Sequence, residues 1–464
     1  RKSGHYGLVT GDTKIPKHKP MEGSINILSL SLLLIFSLGQ VAGGLTNPKC
    51  AKFQQDNKDS STLRVIHVNS PCSPLKQQQN KHLSWIDTVL QMQSKDTSRL
   101  QFMASLVAGR SFVPIASGRQ ILQTPTYIVK AKIGTPPQTL MVALDNSNDL
   151  SWFPCSGCVG CSSTVFATPK STTFKNVSCQ SASCALVPNR DCDAGTCTFN
   201  LTYGGSSISG GLSVDTIALT KDPVPEFNFG CIRQATGNSA PPQGLLGLGR
   251  GSLSYMSQSQ SLYQSTFSYC LPSYKSPNFS GTLRLGPNGQ PLRIKTTPLL
   301  RNPRRSSFYY VNLVGVKVGK RIVDIPPSAL AFNPSTGAGT IIDSGTVFTR
   351  LVEPAYTAVR NEFRRRMGKN TTVTSLGGFD TCYTVPVTIP TITLMFAGMN
   401  VTLPQDNFLI RSSSSSTTCL AMAASPADPV NSVLNVIASW QQQNHRILFD
   451  VPKSRVGVAR EACS

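Results

Sequence analysis

The stretch Met141-Val-Ala-Leu-Asp145-Asn-Ser-Asn148 has a later counterpart in Thr340-Ile-Ile-Asp343-Ser-Gly-Thr346. In each, an apolar run ends on an aspartate that is followed by small, hydrogen-bonding residues. An apolar pair then follows each copy, Leu245-Leu246-Gly247 in the first half and Val436-Ile437-Ala438 in the second. A carboxylate so placed emerges at the end of a buried strand, with backbone N–H groups near its oxygens. The repetition predicts two similar β lobes. Outside the motifs, alternating runs such as Tyr127–Ile133 and 308–318 lie between Gly, Pro and Asn and read as strands. One clear helix, Glu353–Met367, carries Pro354 in its first turn and Tyr356, Val359, Phe363 and Met367 on one face. The 464 residues are 39% hydrophobic and only 14% charged, and no stretch is rich in Ala, Glu and Lys. The fold class expected is all-β, not a bundle or a coiled coil.

Chemistry is narrowed by elimination. The five histidines are His5, His18, His67, His82 and His445, so the region after residue 120 holds a single imidazole, in a context that reads as an ordinary strand edge. A Ser/His/Asp or Cys/His mechanism would have to rest on that one ring, and a multi-histidine metal site is excluded there. No phosphate-binding glycine motif is present, and Gly244–Gly251, with its apolar interleaving, reads as a packed strand and turn. No cofactor and no metal are expected. Two aspartates brought together by lobe symmetry would share one proton, because like charges ~3 Å apart do not both ionise. The ionised member can take a proton from water while the protonated one polarises a carbonyl.

The formal charge is +22. From Pro125 onward 29 Lys and Arg face 16 Asp and Glu, a net +13, scattered rather than gathered into a nucleic-acid footprint. An anionic wall polymer is a candidate partner; nucleic acid is not. Residues 1–20 read as an upstream extension and 21–44 as a signal peptide, whose apolar core 25–38 is too short for a transmembrane span of about 20 residues. No stable membrane insertion is expected. Residues 45–120 differ in composition: a Gln- and Lys-rich stretch, then a helical pattern over 83–107, then a linker. They read as a prosegment, with a small N-terminal helical domain as the alternative. Of 14 cysteines, twelve lie from Cys155 onward. The run Cys155-x-x-Cys158-x-x-Cys161 has zinc-ligand spacing, but an even dozen after a signal peptide favours six disulfides. Sequons at Asn176, Asn200, Asn278, Asn370 and Asn400 are candidate glycosylation sites.

From about Thr124 to the C-terminus the sequence resembles the pepsin-type aspartic proteases, in particular their nepenthesin-like plant branch of secreted, apoplastic members. The resemblance rests on Tyr127-Ile-Val-Lys-Ala-Lys-Ile-Gly-Thr-Pro-Pro-Gln138, on Asp343-Ser-Gly-Thr346, and on Gln441-Gln-Gln-Asn-His-Arg446 with Leu448-Phe-Asp450. It implies a bilobal fold of two six-stranded-type β lobes with a few short helices, divided as 121–295, which carries a cysteine-rich insertion, and 296–464. It further implies a catalytic pair Asp145 and Asp343, a flap at Tyr203-Gly204, and Trp152, Gly345 and Thr346 at the substrate. Peptide or protein substrates, a monomeric zymogen and an extracellular location in the apoplast or cell wall follow from the same likeness. So does a disulfide set: Cys155 with Cys158, Cys161 with Cys231, Cys179 with Cys197, Cys184 with Cys192, Cys270 with Cys463, and Cys382 with Cys419. One departure stands out: the family's first motif is usually Asp-Thr-Gly-Ser and sometimes Asp-Thr-Ser, and here it reads Asp145-Asn146-Ser147-Asn148. The activity expected is aspartic endopeptidase; the alternative is a catalytically impaired binding or inhibitor protein on the same scaffold.

Overall fold

The computed structural model describes residues 62–68, 70, 72–73, 85–107, 127–203, 206–237, 240–273, 280–303, 305–368, 371–384, 387–411, 416–426 and 433–463. The segment expected to be a signal peptide (21–44), the expected linker after residue 107, Gly204, Asn278 and Asn370 lie outside them.

Within the described residues the chain is mostly β. Tyr127–Ile133 buries Tyr127, Val129, Ala131 and Ile133 and pairs antiparallel with Gln138–Asp145, from Ile128 opposite Ala143 to Ile133 opposite Gln138. Ile128 is buried on the opposite face as well, and a slip of one residue would carry the half-buried Lys130 and Lys132 into the core. Asp145 is the last residue of its strand. Beside it, in parallel, lies Leu245–Gly247, with Gly247 opposite Asp145, and Leu245 faces Trp152 of Trp152–Val159 in antiparallel fashion. The second half repeats the arrangement. Gly339–Ile342, which leads into Asp343, runs parallel to Leu434–Ile437, and Val436 faces Arg350 of Thr349–Leu351 in antiparallel fashion. The predicted symmetry of the two motifs is therefore a symmetry of strand pairing.

A ladder of strands joins the halves. Thr266–Cys270 pairs with both Ser280–Leu285 and His445–Asp450; the latter pairs with Arg455–Arg460, which pairs with Lys295–Leu300. Phe267, Tyr309 and Phe449 stack in its core with ring centroids 4.4–5.9 Å apart. His445 belongs to this ladder and is buried, not at a strand edge; burial lowers its pKa and its Nδ1 lies 2.9 Å from the Gln443 carbonyl. The helix Glu353–Met367 has the bounds the sequence predicts.

Two elements upstream of residue 120 join this body. Thr62–His67 is a strand, paired with Ser280–Leu285 and with Tyr127–Ile133. Trp85–Val107 is a helix, here α1.

The disulfides correct four of the expected pairings. Observed are Cys155–Cys231, Cys158–Cys161, Cys179–Cys192 and Cys184–Cys197; Cys270–Cys463 and Cys382–Cys419 are as expected. The reason is burial. Cys155 and Cys231 are both in the core, on the parallel strands Trp152–Val159 and Val224–Thr236. Cys158 and Cys161 both lie half-buried at a strand end. Cys192 and Cys197 face each other across a hairpin, so the buried Cys197 turns inward to Cys184 and the exposed Cys192 reaches Cys179.

Candidate active site

Asp145 and Asp343 come together, and both are fully buried. The turn after each strand supplies donors to its own carboxylate. Ser147 donates from N–H and Oγ to Asp145 Oδ1, both at 2.9 Å, and Asn148 Nδ2 donates to Oδ2 at 2.7 Å. For Asp343 the donors are the Gly345 N–H to Oδ1 at 3.1 Å and the Thr346 N–H and Oγ1 to Oδ2 at 2.9 and 2.5 Å. Gly345 and Thr346, expected at the substrate, are thus also what holds Asp343. From behind, Gln442 Nε2 donates to the Asp343 carbonyl at 3.0 Å and to the Ile437 carbonyl at 2.8 Å.

The unusual Asn146 spans the two halves. Its Oδ1 accepts the Ser344 N–H at 2.8 Å and the Ser344 hydroxyl at 3.1 Å, while its Nδ2 donates to the Ile342 carbonyl at 3.1 Å. A hydroxyl would accept and donate through one atom; the amide divides the two tasks between two atoms. Ser147 keeps its N–H on Asp145 and adds a hydroxyl donor, so the extra Cβ does not displace the carboxylate. At the other half's counterpart of Gly247, Ala438 is buried among Tyr310, Ile341 and Val436. A Cβ on Gly247 itself would lie 2.3 Å from the Asp149 carbonyl.

What lies between the aspartates is Arg99 of α1. Its Nη1 and Nη2 donate to Asp145 Oδ2 and Oδ1, both at 2.9 Å, its Nε and Nη2 reach Asp343 Oδ2 and Oδ1 at 3.2 and 3.1 Å, and Nη2 also donates to Ser147 Oγ at 2.6 Å. One guanidinium satisfies both carboxylates, a use of its planar fork that an ammonium could not copy. Burial alone would raise the Asp145 pKa, but the Arg99 charge and hydrogen bonds outweigh it and hold the carboxyl below its ordinary value. A Cβ on Gly345 would lie 2.3 Å from Arg99 Nη2, so glycine there leaves the room the guanidinium fills.

The same face of α1 makes two further polar contacts. Asp96 accepts the N–H groups of Val347 and Phe348 at 2.7 and 2.6 Å; burial pushes its carboxyl up to about 7, against the pull of Arg350 and these two bonds. Gln93 Oε1 accepts the Gly378 N–H at 3.1 Å, and a Cβ at Gly378 would run into that side chain. Apolar contacts complete the seat. Val89 and Met92 pack with Val347, Phe348, Phe379 and Trp440, and Leu100 packs with Phe308, Tyr310 and Val436. Arg99 is the residue the sequence reading missed. The signal was present: in a helical projection Gln93, Asp96 and Arg99 fall beside Val89, Met92 and Leu100, and charges on an apolar face require partners.

Trp152, expected at the substrate, is buried in the cluster that holds Val177, Phe199 and Leu245. Tyr203 ends the strand Thr196–Tyr203; its side chain and Gly204 lie outside the described residues. Asn176, Asn200 and Asn400 are exposed.

Family models described as xylanase inhibitor N-terminal and xylanase inhibitor C-terminal match residues 127–287 and 308–460. The aspartyl protease AED3 of Arabidopsis thaliana is 50% identical over 448 residues, covering 94% of this chain and 98% of its own. The chain belongs to the plant pepsin-like aspartic proteases. Another member of that family, the aspartic proteinase nepenthesin-1 of Nepenthes gracilis, is 33% identical over 73% of this chain and 78% of its own. Among solved structures, the pepsin-like fold is shared with EDGP (TM-score 0.61, 22% identity, 75% of this chain and 92% of that one). Soybean basic 7S globulin shares it too (TM-score 0.59, 20% identity, 72% and 93%).

Proposed function

We propose that the chain is a secreted aspartic endopeptidase made in latent form, with Asp145 and Asp343 as the catalytic pair and α1 as the inhibitory part of a prosegment. The observation that carries this reading is the single guanidinium of Arg99 bonded to both carboxylates. Two buried aspartates each furnished with three neutral donors, and sharing one cation, form a pair built to sit close together. When Arg99 leaves, the charge it neutralised has to be met otherwise, and one shared proton does so. A water in the vacated place would then be held between an ionised and a protonated carboxyl. The first removes its proton as it attacks the peptide carbonyl, and the second donates to the developing oxyanion. The six disulfides from Cys155 onward and the apolar segment 25–38 support an oxidising, extracellular location.

A second reading, a binding or inhibitor protein without hydrolysis, is favoured by one observation: Asn146 and Ser147 stand where the family usually has Thr and Gly. The deciding experiment is acid-triggered proteolysis of a denatured protein by purified chain, with and without a hydroxyl-containing transition-state inhibitor, beside Asp343→Asn. Inhibitor-sensitive cleavage that is absent from the variant is expected. A folded wild type that cuts only after Asn146→Thr with Ser147→Gly would establish the binding reading instead.

A further inference from the structure

Arg350 lies in Thr349–Leu351, seven residues beyond Asp343, and is 5% exposed. Its Nη1 donates to the Ala424 carbonyl at 3.1 Å and its Nη2 to the Gln93 carbonyl of α1 at 3.2 Å, while its buried Nε has no hydrogen-bond partner among the described residues. The groups that act on its charge are the Asp96 carboxyl from α1 and the Tyr356 phenol from Glu353–Met367. Asp96 in turn takes the N–H groups of Val347 and Phe348. Two backbone donors of the main body therefore meet on a carboxyl that α1 supplies, in the field of the buried Arg350 cation, whose own hydrogen bonds go to the Ala424 and Gln93 carbonyls.

We propose that this socket is a substrate subsite for an acidic side chain. Once α1 is gone, the Val347 and Phe348 N–H groups take an Asp or Glu of the peptide where Asp96 sat, with the Arg350 charge close behind them. The inference rests on the proteolytic reading above and adds a specificity to it. Removal of α1 leaves Arg350 without its counter-charge and two N–H groups without acceptors, and both deficits are costly in a mostly apolar cleft. A carboxyl offers two oxygens to the two donors. An amide offers one, and sets its own NH₂ against the other N–H. Burial pushes the Asp96 carboxyl up to about 7, so the carboxylate that accepts through both oxygens is the form present above that value, and the choice against an amide is read there. Asp96 is three helical residues from Arg99, ~4.5 Å along the axis. The acidic side chain thus belongs about one to two residues of extended peptide from the scissile bond.

The test uses protein matured from the full chain and fluorescent statine-containing peptides of apolar sequence carrying Asp, Asn or Leu at either of two positions beside the statine. Binding is read by anisotropy, so turnover is not needed. The Asp peptide is expected to bind about tenfold or more tighter than the Asn peptide at one position, and in Arg350→Gln the ratio should fall to near one. Equal binding of Asp and Asn peptides to the wild type overturns the subsite, and does so without the variant should the variant misfold. An Asp preference that survives in folded Arg350→Gln overturns the role of the arginine. If no statine peptide binds, it is the protease reading that fails. The subsite, which rests on that reading, is then overturned with it.

Discussion

Arg99 carries the largest electrostatic load of any side chain in the site, since it alone separates two buried carboxylates from one another. Arg99→Gln leaves both without a cation. Breaking a buried pair costs ~3–5 kcal/mol, so α1 should lift off its seat. The expected outcome is rapid nicking of 85–107 by added protease and cleavage of a denatured substrate by unprocessed chain. A variant as resistant and as silent as wild type would contradict the assignment. At Asn146 the prediction is graded. Asn146→Ala strands the Ser344 N–H and the Ile342 carbonyl and should lower unfolding free energy by ~1–3 kcal/mol in urea titration. Asn146→Thr, which can still accept and donate, should lose less than half of that.

Helix α1 binds through two carboxyl systems whose protonation works in opposite directions. With α1 docked, the Asp145 pKa is held below its ordinary 3.8. Docking therefore gains stability that is present above that value and is lost as pH falls through the depressed one. Asp96 is raised to about 7 when docked. Its contribution is complete below 3.8 and is lost as pH rises toward about 7. Docking should consequently be firmest in mildly acidic solution and weaken on both sides. Hydrogen exchange of α1 amides against pH would show a protection maximum there, and Asp96→Asn should flatten its alkaline side alone. A monotonic profile in the wild type would contradict the opposition of the two groups.

At the scale of the molecule, the strand ladder that joins the halves is closed by Cys270–Cys463, which links positions 193 residues apart. A crosslink over so long a loop restricts the unfolded chain strongly. Cys270→Ser with Cys463→Ser should cost ~2–5 kcal/mol, read as a lower melting temperature of the folded chain. Non-reducing peptide mapping should recover Cys184 with Cys197 and Cys179 with Cys192, not the crossed pairs. The ladder also explains the glutamine run at 441–443. Gln441 accepts the Thr349 N–H, Gln442 holds the Asp343 carbonyl, and Gln443 donates to the Tyr127 hydroxyl, so three consecutive side chains tie the second motif to the first lobe's opening strand.

The sequence by itself determined the β class, and its repeated motif singled out the two aspartates that the fold brings together, because strand alternation and a repeated local motif are properties of neighbouring residues. It also gave helices at 83–107 and 353–367, found at 85–107 and 353–367, because apolar spacing needs no partner to be read. Only the tertiary structure decided which cysteines pair, since cysteines close in sequence sort by burial across strands. Only it showed that Asn146 can serve both cross-lobe tasks, because that depends on where Ser344 and Ile342 lie. And only it placed Arg99 between the carboxylates and Asp96 on two backbone N–H groups: a charged residue on an apolar helix face declares that it has partners, but the partners belong to chain 46 to 252 residues away, and it is their burial together that gives the contacts their strength.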